Sequence, residues 1–280
     1  MNIIKGAKIV VPNIVKTDKK WKGKHILDME YFIMEILAKR RSGKTVLIYN
    51  MVKKFVTKKM VCLFFCSQFD KDPVYKSIRD FLDEKGVLYH NYTSIIDNGV
   101  DNVAIFMENV DQDYTLSENK KQKVAREDTL SETQPSKVKF GDEVEKKIKN
   151  KKPPKFKPIE FFIVFDDQSS ELRAKSVEKL LKNSKHYKAK IILSSQGISD
   201  LTPNQHTQVD YSVLFKGFSH ESIHKIYDKL QPRIEYDEFE TLYKEITSKN
   251  HDFLLFDRGN ESFRINLDKK LNLENFLISK

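Results

Sequence analysis

The sequence predicts an α/β fold built on a mainly parallel central sheet flanked by helices, and three observations carry that prediction. Short apolar runs alternate with segments whose apolar residues recur at helical spacing, the order that produces parallel strands joined by right-handed crossovers. One such run, Tyr31 to Ala38, leads through Lys39-Arg40-Arg41 into Ser42-Gly43-Lys44-Thr45 and then a helical pattern, which is the strand–loop–helix context of a phosphate-binding loop. A later apolar run, Ile159 to Phe165, ends in the acidic pair Asp166-Asp167.

The elements follow in order. Residues 1–30 read as an N-terminal extension with one short strand at Ile9-Val10-Val11, and 31–280 as a single domain. After the strand at 31–38, Val46, Leu47, Met51, Val52 and Phe55 fall at helical spacing. Val61 to Ser67 is a second strand. Asp72-Pro73 opens a helix ending at Gly86, with Val74, Ile78, Phe81 and Leu82 on one face. Val87-Leu88-Tyr89 and Val103-Ala104-Ile105-Phe106 are short strand candidates. From about 108 to 157 Ser, Glu, Lys, Gln, Thr and Asp dominate, and such a segment buries too little apolar surface to order itself, so it reads as a flexible insertion. Its basic end, Lys146 to Lys157, reads as a solvated linker, with contact to phosphates as the competing reading. The strand at 159–165 is followed by a helix from Glu171 to Leu181, a strand from Ala189 to Gln196 and another from Tyr211 to Phe215. Helices at His220 to Leu230 and Tyr236 to Thr247 precede a hairpin turning at Arg258-Gly259-Asn260.

In a phosphate-binding loop successive backbone N–H groups surround a phosphate, a lysine reaches the outer phosphates, and a threonine hydroxyl completes the shell of a magnesium ion. Here Ser42, Gly43 and Lys44 take the phosphate roles of a bound nucleotide with Arg41 beside them, and Thr45 the Mg2+ role. The full pattern has glycine where Ala38 stands, and alanine permits the turn if its φ is negative. The same tripeptide also occurs at ordinary helix starts, so the remainder of the chain has to supply a partner. Asp166-Asp167 is that partner, expected at the end of the strand next to the loop strand: Asp166 holds magnesium through water, and Asp167 orients or deprotonates the attacking water. The competing reading is that the pair caps the helix beginning near Ser170. Gln196, at the polar tip of its strand, faces the same crevice and reports the γ-phosphate, with a satisfied polar loop start as the competing reading.

The order of Ser42-Gly43-Lys44-Thr45, a strand ending Asp166-Asp167, and a strand ending Ser194-Ser195-Gln196 followed by Asp200-Leu201-Thr202-Pro203 and Val209 to Lys216 resembles the viral genome-packaging ATPases of the FtsK–HerA superfamily, the poxvirus-type enzymes of large DNA viruses and virophages above all. The resemblance covers roughly Phe32 to Gly217. It implies a RecA-like P-loop NTPase that works as a homo-oligomeric ring, a pentamer or hexamer, driving double-stranded DNA into a capsid through a capsid or portal-vertex protein, in the host cytoplasm and in the virion. It also implies an arginine finger. His206 stands where relatives often carry arginine, which leaves Arg233, Arg173 and Arg79 as open candidates.

A net charge of +10 and a pI near 9.2 suit a polyanionic partner, with a membrane surface as the competing explanation. Eight of the 50 basic residues are arginine, and a lysine skew of that kind also follows from AT-rich coding. No stretch approaches the 18 or so apolar residues of a membrane span. Cys62 and Cys66 share one face of a strand and read as core thiols in a reducing compartment. A nucleotide or small-molecule kinase would share the loop but wants an arginine-rich lid; a non-hydrolysing nucleotide-binding scaffold is the third alternative.

Overall fold

The sheet is set up by its centre. Ile33–Leu37 (β1) is buried at every position and pairs in parallel with Ala189–Ser195 (β7) on one side and Tyr211–Phe215 (β8) on the other. A strand buried on both faces reads as a continuous apolar run, which is why β1, β7 and β8 lack alternation. The computed structural model describes residues 20–112 and 159–271. The expected strand at Ile9-Val10-Val11, and the insertion from 113 onward with its basic end, lie outside the described residues.

Met60–Phe65 (β2), Leu88–Tyr92 (β3) and Glu160–Phe165 (β6) complete the parallel part. Phe253–Asp257 (β9), Ser262–Ile265 (β10) and Lys269–Lys270 (β11) add an antiparallel edge, and the nine strands run β11-β10-β9-β8-β1-β7-β6-β2-β3. The fold class is therefore as predicted. One adjacency is not: β7 lies between β1 and β6, so the strand carrying Asp166 is not the neighbour of the loop strand. Ile191 bridges the two registers, paired with Ile33 on β1 and Ile163 on β6.

Lys44–Phe55 (α1) and Pro73–Lys85 (α2) cover one face with Leu47, Met51, Phe55, Ile78 and Leu82. Lys175–Lys182 (α4), Pro203–His206 (α5), His220–Leu230 (α6) and Tyr236–Ile246 (α7) cover the other. Each fully buried Leu, Ile or Phe contributes about 1.5–3 kcal/mol before the cost of ordering the chain. α2 starts cleanly because Asp72 Oδ1 accepts from Val74 N at 2.7 Å and Pro73 needs no donor there, and it stops at Gly86 in the left-handed region (φ 61°).

Three local readings change. Residues 103–106 are not a strand: 102–112 is helical (α3), which also moves the start of the insertion past 108. Asp101 Oδ1 accepts from Ala104 N at 2.9 Å, and Val103, Phe106 and Met107 bury a helical stripe that outweighs the β-branched run. Just before it, Ile96–Asp97 (β4) and Val100–Asp101 (β5) form a small hairpin around Asn98-Gly99, both at positive φ. On α2 the buried face is Tyr75, Ile78 and Leu82, with Val74 only half-buried. Cys62 and Cys66 are free, buried and on one face, as expected. Among the described residues no helix is long and apolar enough to cross a membrane.

Candidate nucleotide site

The carboxyl ends of the parallel strands open onto one crevice, and β1 delivers the loop into it. Ala38 N donates to Ser195 O at 3.0 Å, so the loop leaves the sheet clamped to β7. Ala38 is fully buried and is not among the positive-φ residues, which satisfies the condition for alanine at this position. Farther on the backbone turns over twice: Arg41 has φ 62° and Gly43 φ 104°. Position 43 needs glycine, because a Cβ there would stand 2.9 Å from His251 Nδ1. His251, in the loop before β9, meets the carbonyl of Ser42 through Nδ1 at 3.1 Å, so the C-terminal part of the chain braces the loop from behind.

Helix α1 begins at this turn with no side-chain cap and no acidic residue in its first turn. Among the described residues its leading N–H groups thus meet no capping side chain, and its positive end favours an anion there. Ser42 Oγ is buried and has no hydrogen-bond partner among the described residues. Thr45 is half-buried in the same turn. Arg41 is exposed at the rim. These features fit a bound phosphate chain.

Across the crevice, Asp166 is 1% exposed, anchored where its N–H donates to Phe65 O at 2.9 Å. Its Oδ1 stands 3.0 Å from Lys44 Nζ, and its Oδ2 accepts from the Tyr75 hydroxyl at 2.9 Å. Asp167 adopts φ 57°, which turns its more exposed carboxylate back to bond Lys44 as well. The acidic pair therefore faces the loop lysine and does not cap the following helix. Burial by itself would lower the Lys44 pKa, but the Asp166 charge and the hydrogen bonds to Asp167 and Asp166 outweigh it and raise the pKa above the usual lysine value.

Gln196 follows the last residue of β7, half-buried, directly beyond the clamp on Ala38. Asp200 Oδ2 accepts from both Gln196 N (3.0 Å) and Gly197 N (3.2 Å), fixing the turn that carries it. Behind it lies a feature the sequence did not single out: Glu35, in the middle of β1 and fully buried, stands 3.5 Å through Oε2 from His206 Nδ1, and His206 is itself 4% exposed. His206 Nε2 is 2.8 Å from the Ile198 carbonyl, so Nε2 carries the hydrogen and donates. The pair ties the loop strand to the turn after Gln196. A buried glutamate in an apolar run with a histidine after the downstream proline was the available signal, and pairing residues so far apart in the chain required the sheet order.

His206 is accordingly occupied in the interior, where an arginine finger would have to project outward. The three arginines left open are also engaged within this chain: Arg79 with Phe69 O and ring, Arg173 with Ser199 O, and the exposed Arg233 with Glu261.

Strand order, loop and facing acidic pair define the class: this is a P-loop NTPase fold. The fold is shared with a solved viral packaging enzyme. The DNA-packaging ATPase B204 of Sulfolobus turreted icosahedral virus superposes with a TM-score of 0.50 at 17% identity, over 85% of this chain and 98% of that one. B204 of Sulfolobus turreted icosahedral virus 2 with ATP-gammaS gives 0.47 at 16% identity over the same shares. The cytoplasmic domain of the type VII secretion ATPase EccC of Thermomonospora curvata gives 0.42 at 16%, over 81% of this chain and 24% of that one. No protein-family model and no curated protein matches the sequence.

Proposed function

We propose that this protein is an ATP hydrolase that moves double-stranded DNA, acting as a homo-oligomeric ring that fills a viral capsid. The observation that carries the enzymatic part is the meeting of Lys44 with Asp166 and Asp167 beneath an uncapped helix N-terminus. In this reading Ser42, Gly43, Lys44 and the N–H groups of α1 bind the phosphates, with Arg41 at the rim. Thr45 and Asp166 would hold Mg2+, which when bound would supply charge neutralisation at the phosphates. Lys44 exchanges its carboxylate partners for phosphate oxygens. Asp167, released by that exchange, takes the proton of the attacking water, and Gln196 senses the γ-phosphate.

The DNA and capsid parts rest on the net charge of +10, on the sequence resemblance to the packaging ATPases, and on the fold shared with B204. In this reading the protein works in the infected host cell, where capsids are filled. ATP turnover measured with and without long duplex DNA tests the whole reading. Hydrolysis that duplex stimulates is expected, whereas phosphate transfer to a small acceptor would mean a kinase, and binding without turnover a scaffold.

A further inference from the structure

Asp166 has two oxygens with different duties. Oδ1 points at Lys44 and, in the reading above, at the metal shell; Oδ2 points away from the crevice to a hydroxyl on α2. That hydroxyl belongs to Tyr75, 1% exposed, whose ring is wedged edge-on against Phe64 (centroids 6.2 Å apart) and tilted on Phe69 (5.3 Å). Ile78 and Leu82, one and two turns on, pin the same face of α2 to the sheet, and Pro73 with the Asp72 cap fixes where that helix begins. The ring is fully buried among these neighbours, and its hydroxyl meets the Cys66 thiol as well as Asp166 Oδ2.

We infer that Tyr75 is the positioning residue of the metal site: its hydroxyl holds Oδ2 of Asp166 so that Oδ1 alone passes from Lys44 to the Mg2+ shell when nucleotide enters. This rests on the nucleotide-hydrolysis reading. A carboxylate without that anchor is free to rotate about its Cβ–Cγ bond and offer either oxygen, or both, to Lys44. An outer-shell partner that fixes a ligating carboxylate typically contributes 10–100-fold to metal affinity. The tyrosine hydroxyl meets Asp166 and not the loop lysine.

The test uses the full chain, an ATP analogue that resists hydrolysis, and Mn2+ in place of Mg2+, with bound Mn2+ read by electron paramagnetic resonance. In Y75F the Mn2+ dissociation constant in the presence of the analogue should rise about tenfold or more, while metal-free binding of the analogue stays within about twofold of wild type. 4-Aminophenylalanine at position 75, which keeps a donor, should restore Mn2+ affinity. If Y75F does not fold, 4-fluorophenylalanine fills the hydroxyl's volume without a donor and replaces it. Unchanged Mn2+ affinity in the donor-free variant, with or without a lower melting temperature, overturns the inference and leaves Tyr75 a core residue. Wild type that fails to bind the analogue at all overturns the nucleotide reading instead.

Discussion

Replacing His206 by alanine should be among the most damaging single changes in the domain, although His206 is remote from any expected catalytic contact. The substitution removes the side chain that stands against the fully buried Glu35 carboxylate, at 3.5 Å from its Oε2. Leaving a buried polar group without its polar neighbour costs about 1–3 kcal/mol. The lost Nε2–Ile198 bond adds about 1 kcal/mol. For a domain of this size each kcal/mol moves the melting temperature by roughly 2–4 °C, so H206A should melt at least about 4 °C below wild type. Urea unfolding followed by circular dichroism gives the free energy directly. The double variant E35L/H206L should recover most of the loss, because apolar side chains of similar volume commonly replace a buried pair at little cost. A loss below about 1 kcal/mol in H206A, or an E35L/H206L variant as unstable as H206A, would refute the pairing.

Other perturbations act nearer the crevice. K44A should abolish nucleotide binding or turnover, while D167N should bind an ATP analogue normally and hydrolyse ATP at a small fraction of the wild-type rate; equal turnover in D167N removes Asp167 from its role. G43A should destabilise by about 1–3 kcal/mol, from the left-handed backbone and the contact with His251, and should lose phosphate binding, readable by melting with and without nucleotide. D72A should cost about 0.5–2 kcal/mol through the lost α2 cap, with unfolding the sufficient measurement. Because the Lys44 pKa is raised on folding, its pairing stabilises fully below the ordinary lysine value of 10.5 and is lost as pH rises through the folded value. The stability gap between wild type and K44M should therefore narrow in that alkaline window.

Much of the site was legible because its parts are local. A buried strand, a glycine at positive φ and the start of a helix are consecutive in the chain, so Ser42-Gly43-Lys44-Thr45 announces itself, and an apolar run ending in two aspartates does the same. Element bounds at β8 and α6 match the expectation residue for residue. The misreadings have a common cause. Val103 to Phe106 looks β-branched and apolar over four residues, yet the decision came from Asp101 capping the turn and from burial at helical spacing. Tyr75 was passed over for Val74 because the stripe on α2 is one residue out of phase with the most apolar choice, and the sheet surface beneath selects the larger side chain.

The order of residues carries the inventory: Ser42-Gly43-Lys44-Thr45 after a strand, carboxylates to oppose it, a glutamine at a strand tip, and enough apolar segments to bury a parallel sheet. Folding settles who faces whom. Inserting β7 between β1 and β6 puts Gln196 between loop and acids, leaves Lys44 to span the gap, and brings Glu35 to His206 and Tyr75 to Asp166. Those pairs join residues 91 to 171 positions apart, and strand order, set by which apolar faces pack together, is a global property that no local pattern of residues encodes.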